Sequence, residues 1–65
     1  MTANEFRETI FALGLNQKQA AMMLGYGAAT RVSELATGVR PVPMAVERLL
    51  HAYADGYRPS DWPGE

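Results

Sequence analysis

The chain has no cysteine among its 65 residues, which excludes a disulfide framework and any thiolate metal site. No apolar run approaches the ~20 residues that a membrane-spanning helix needs, and the first residues lack a basic segment followed by an apolar one. A cytoplasmic protein with no membrane partner is therefore expected. An excess of positive charge is missing as well, since six Lys and Arg face seven Asp and Glu for a formal net charge of −1. Charges beyond ~8–10 Å are screened at physiological salt, so a polyanion would have to be met by a local cluster of cations. Catalytic groupings are equally scarce. No nucleophile is paired with a base, no His, Asp and Glu stand at metal-ligand spacing, and no glycine loop has the spacing that cradles a phosphate. His51 and Asp55 lie four residues apart on one helix, which permits an interaction and nothing more. The chain reads as non-enzymatic, with no cofactor, no metal and no small-molecule substrate.

What is present is helical periodicity punctuated by glycine. A domain this short buries only about 60% of the surface its unfolded form exposes, so its stability must come from helix packing, an oligomer or a partner. Thr2 or Asn4 can cap a first helix that runs to Leu13 and stops at Gly14. Phe6, Ile10 and Leu13 share its inner face, whereas Phe11 falls on the outer side near Asn4 and Glu8. Leu15 tucks beneath the first two helices. Asn16 and Gln19 form a capping-box start for a second helix over Gln17 to Leu24. Ala20, Ala21 and Leu24 turn to one side of it, and Gln17, Lys18 and Met22 lie nearer solvent. Gly25-Tyr26-Gly27 ends it.

A third helix runs from Ala28 or Ala29 to Ala36, with Ala28, Val32, Leu35 and Ala36 inward and Gly38 as its stop. Two helices so short bury little alone, and the alanines between them permit the close, steep packing of a helix-turn-helix. Val39-Arg40-Pro41-Val42-Pro43 is a stiff extended connection, and Pro43 suits the first turn of a fourth helix reaching about Asp55. Val46, Leu49, Leu50 and Tyr53 line its inner side; Met44, Glu47, Arg48, His51 and Asp55 line the other. The expected architecture is all-α, with a four-helix domain over residues 1–56 and an aromatic tail over 57–65 that packs on the domain or on a dimer partner.

Asn16-Gln17, Ala21, Leu24-Gly25, Val32, Leu35, Gly38 and Arg40-Pro41-Val42-Pro43 resemble the lambda-repressor-like (Cro/XRE-type) helix-turn-helix family of transcriptional regulators. The resemblance covers roughly Phe6 to Tyr53. Two features depart from the family pattern: the segment from Gly25 to Val32 is one residue longer, and Leu35 stands where tryptophan is common. The extra residue leaves the start of the recognition helix open. The resemblance implies a small repressor of the phage or mobile-element kind, binding double-stranded DNA as a homodimer. The alternative is a protein-interaction module that keeps the fold without the DNA role.

The outward residues of the third helix, Thr30, Arg31, Ser33, Glu34 and Thr37, fit a major groove. Short hydroxyl side chains reach base edges or phosphates, and arginine can bond both acceptors of guanine. Glu34 could accept from cytosine, pair with Arg31 one turn earlier or repel phosphate. By the resemblance, Gln17 at the start of the second helix touches the backbone, with Lys18 beside it, and Arg40 in the proline loop contacts phosphate. A plain solvated surface accounts for the same composition almost as well. Lys18, Arg31 and Arg40 would cluster on this side, and Asp55, Asp61 and Glu65 at the other end. A dimer surface is expected away from it, from Phe11, Arg48, His51, Tyr57 and Trp62, because aromatic side chains are costly to leave in water.

Overall fold

Four α-helices organise the computed structural model, which describes residues 1–63. They are α1 (Ala3–Ala12), α2 (Gln17–Met23), α3 (Ala29–Thr37) and α4 (Met44–Ala54), and no strand occurs among the described residues. Gly64 and Glu65, the latter counted above with the acidic end, lie outside them. The radius of gyration is 10.6 Å, about the ~11 Å of a packed chain of this length. Among the described residues no helix is long and apolar enough to cross a membrane.

Local chemistry sets most helix ends. Thr2 caps α1, accepting from the Glu5 amide at 3.1 Å while its own amide donates to the Glu5 carboxylate at 2.7 Å. Asn16 and Gln19 make the same reciprocal pair at the start of α2, at 2.7 and 3.0 Å. These boxes satisfy amides that a helix start leaves without partners. At the other end of α2, Gly25 takes a left-handed φ of 81°. The Tyr26 amide then returns to the Ala21 carbonyl at 2.8 Å, and the Gly25 amide points to that of Met22 at 3.4 Å. That is a Schellman closure, and α1 and α4 end with the same pair of bonds.

Several boundaries differ from the expected ones. Leu13 caps α1 and Leu24 caps α2, each just past the last helical residue. Leaving the helical path makes Leu24 half-buried, and Met23, expected on neither face, enters the core instead. Gly27 takes no left-handed φ, so Gly25 alone supplies the reversal. Pro43 sits one residue before α4, as its extended N-cap with ψ of 150°, rather than within its first turn.

One core joins all four helices. Phe6 and Ile10 come from α1, Leu15 from the following turn, Ala20, Ala21 and Met23 from α2, Val32, Leu35 and Ala36 from α3, and Val46, Leu50 and Tyr53 from α4. In the packing order α3 lies against both α1 and α2, and α4 lies against α1. The small Ala20, Ala21 and Ala36 allow α2 and α3 to approach closely, as the alanine content implies. No polar or charged residue is buried among the described residues, so the interior is held by apolar burial.

After α4 the chain turns back on itself. Trp62 meets Tyr53 edge-on with ring centroids 4.9 Å apart, and Tyr57 stacks on the same tyrosine at 5.8 Å. Arg58 pins this turn. Its guanidinium lies 4.3 Å from the Trp62 ring centroid and donates to the Tyr53 and Tyr57 carbonyls at 2.6 and 2.8 Å. Within the chain Trp62 is thus partly covered against the core, while Tyr57 stays largely exposed.

Candidate functional site

The outward side of α3 carries the residues singled out above, because Val32, Leu35 and Ala36 commit the opposite stripe to the core. Thr30, Glu34 and Thr37 lie along the middle of this face at helical spacing, with Ser33 and Arg31 on its two flanks. Thr30, Arg31 and Thr37 are exposed, and Ser33 and Glu34 are half-covered. Thr37 spends its hydroxyl proton on its own helix, donating to the Ser33 carbonyl at 2.9 Å. Only its acceptor capacity remains for a partner.

Charge on this face is arranged around Glu34. One of its oxygens, Oε1, accepts from Arg40 Nε at 3.0 Å and lies 3.5 Å from Arg31 Nη1. The Arg40 amide also points back to the Glu34 carbonyl at 3.3 Å. Pairing with Arg31 is the i,i+3 contact that helix geometry suggests. The bond to Arg40 crosses the end of the helix, where Gly38 turns left-handed with φ of 81° and brings the proline loop back alongside α3. Both arginine side chains remain more than half exposed, at 53% and 58%.

Gln17 and Lys18 are exposed at the start of α2. Lys18 makes no ion pair among the described residues, and so differs from Arg31 and Arg40. A further arginine bears on the site without having been read from sequence. Arg7 on α1 donates to the Ala36 carbonyl and, at 3.1 Å, to Asn4. It thereby caps the last turn of α3 from outside, at the negative end of the helix dipole. Nothing in a lone arginine on a polar helix face signals that role.

The residues expected at a dimer surface do not all come together. Phe11 is 85% exposed and borders a small apolar groove of about 180 Å³ between α1 and α3, with Ile10, Leu15, Val32 and Ala36. His51 instead lines a wider groove of about 650 Å³ between α1 and α4, facing Glu5, Glu8, Glu47 and Arg58. The two grooves flank α1 on opposite sides, so Phe11 stands apart from His51. Arg48 and Tyr57 are exposed on and after α4, and Trp62 is half-covered by its own chain. Glu47, placed on the outer side by periodicity, accepts from the N-terminal ammonium at 2.9 Å. This bond, ahead of the direct charge attraction, holds the ammonium pKa above its ordinary value. His51 and Asp55 form no mutual bond among those described.

No protein-family model matches this chain, and neither a curated protein nor a solved structure matches it.

Proposed function

We propose that the protein is a sequence-specific DNA-binding transcriptional regulator, a small repressor reading an inverted-repeat operator as a homodimer through a lambda-repressor-like helix-turn-helix. The observation that carries the reading is the pairing of α2 with α3: two short helices packed on each other across a glycine-stopped turn, with the outer face of α3 left free of core residues. In this reading α3 enters the major groove. Thr30, Arg31, Ser33, Glu34 and Thr37 then look toward base edges, and Gln17, Lys18 and Arg40 stand at the margins where phosphates run. With a net charge of −1, attraction to non-specific DNA is weak, and binding depends more on base contacts. The test is selection of bound sequences from a random duplex pool. Enrichment of an inverted repeat is expected, and no enrichment at low salt removes the proposal.

A second reading, a protein-interaction module on the same fold, is favoured by one observation. Glu34 already pairs with both Arg31 and Arg40, while Phe11 and Met22 stand exposed on α1 and α2. Duplex titration separates the two. A protein module gives no salt-dependent duplex binding and keeps its partner when Lys18 is replaced.

A further inference from the structure

Two cations from different elements, Arg31 on α3 and Arg40 in the proline loop, converge on the single oxygen Oε1 of Glu34 at 3.5 and 3.0 Å. A guanidinium recognises carboxylate and phosphate oxygens by the same planar donor geometry. The place now filled by Oε1 is therefore one that a phosphate oxygen can take. Space adjoins it: Arg31 and Arg40 border a depression of about 280 Å³ walled by Tyr26, Leu35, Pro41 and Pro43. Those apolar walls suit the sugar carbons that flank a phosphodiester. The Arg40 backbone is held to the Glu34 carbonyl, and prolines at 41 and 43 stiffen the loop, so exchange needs side-chain rotation only.

We propose that Arg31 and Arg40 form a phosphate-binding site that the carboxylate of Glu34 occupies in the free protein, so that Glu34 is a built-in competitor for the ligand. Phosphate arrives as the carboxylate is released, and the released carboxylate then lies beside the incoming negative charge. Glu34 therefore sets a threshold. An isolated anion displaces it poorly, whereas a ligand with further contacts displaces it readily. This assigns Arg31 to phosphate rather than to a guanine edge, in keeping with its place on the flank of α3 next to the loop. The site stands on geometry; its identification with the backbone of duplex DNA rests on the DNA-binding reading.

The test compares the wild-type chain with Glu34→Gln, and with Glu34→Ala should the first variant lose its helical circular dichroism. Inorganic phosphate is titrated while the Arg Nε–H resonances are followed by NMR, and a random-sequence duplex is titrated separately at several salt concentrations. Exposed ion pairs are weak, so removing the competitor should lower the phosphate midpoint about three- to tenfold, with Arg31 and Arg40 as the resonances that move. Duplex affinity should rise alongside. In the Glu34→Gln background, Arg31→Ala should weaken every duplex alike. If phosphate binds more tightly to the variant while no form binds duplex, the site serves another phosphate ligand and the DNA-binding reading fails. An unchanged midpoint, or still Arg31 and Arg40 resonances, overturns the proposal. Loss of base preference at one position on Arg31→Ala, with overall affinity kept, overturns it too.

Discussion

Tyr53 on α4 donates its phenolic hydrogen to the backbone carbonyl of Met23, the last residue of α2, at 2.8 Å. That carbonyl is one of the acceptors a helix end leaves without a partner. Its neighbours Ala20, Ala21 and Met22 find local amides in Leu24, Tyr26 and Gly25. The last helix therefore completes the end of α2 at the point where the chain departs toward α3. Burial, ahead of electrostatic interaction with Tyr57 and Asp61, raises the Tyr53 phenol above its ordinary value, and the hydroxyl stays a donor throughout the neutral range.

Tyr53→Phe keeps the ring and leaves the Met23 carbonyl buried without its donor, which should cost about 1–3 kcal/mol in urea unfolding with an unchanged m-value. A phenol whose folded pKa is raised contributes stability that is fully present below the unfolded value of about 10 and is lost as pH rises through the folded one. The gap between wild type and variant should accordingly narrow in strongly alkaline buffer. A gap that widens there would mean that the hydroxyl is not held protonated by the fold.

The turn between α2 and α3 contains two glycines with different duties. Gly25→Ala forces a side chain into a left-handed backbone and should cost about 1–2 kcal/mol, although a Cβ there meets nothing within 4 Å. Gly27 has no such φ and equally open space. Gly27→Ala should be neutral or stabilising by about 0.4–1 kcal/mol, because it restricts the unfolded chain. Thermal melts of the two variants check this contrast, and equal losses would refute it.

The Thr2 amide bond to Glu5, the largest influence on that carboxyl, holds its pKa below the ordinary range. A lowered folded pKa contributes stability that is present above the unfolded value of about 4.3 and is lost as pH falls through the folded value. Glu5→Gln should therefore show a flatter fall in stability below that pH than wild type. Thr2→Ala should lower stability by about 0.5–2 kcal/mol at neutral pH. Parallel acid-side denaturation curves for wild type and Glu5→Gln would show that the capping box does not titrate.

As a regulator of the proposed kind, the protein should enrich inverted repeats whose half-site centres lie about 34–36 Å apart, so that both copies of α3 reach the major groove on one side. Lys18→Ala should weaken all sequences alike and reduce the salt slope by about 1 per lost phosphate contact, or about 2 per dimer. A single unrepeated motif bound by one chain contradicts the dimer. A change of preferred base on Lys18→Ala contradicts its assignment to phosphate.

Cutting the chain after Gly56 removes Trp62 from Tyr53 and should destabilise the remaining helices by about 1–3 kcal/mol. If the outer side of α4, with Arg48, His51 and Tyr57, also forms the dimer surface, sedimentation should show weaker self-association in the same variant. A truncated chain that stays dimeric and is only less stable would make the tail an intramolecular cover alone.

The sequence by itself determined the local punctuation: the Asn16 and Gln19 box, the glycine stops after three helices and the extended proline loop. Each of these rests on bonds or backbone preferences spanning only a few residues. The inner stripe of α3 was legible for the same reason, since 3.6-residue spacing is a property of the helix alone. Met23, three residues on from Ala20, was missed because the inner stripe of α2 was carried on through Leu24, which instead leaves the helix as its cap. Tertiary structure alone decided the contacts between distant residues. Tyr53 reaches Met23 across 30 positions and Arg7 reaches Ala36 across 29, neither announced by any periodicity. The grip of Glu34 on Arg40 also depends on how the Gly38 turn returns the loop, and the separation of Phe11 from His51 on which helix packs against each flank of α1. Residue spacing specifies the face of a helix on which a side chain stands, whereas its partner is fixed only when burial of the shared core sets the helices against one another.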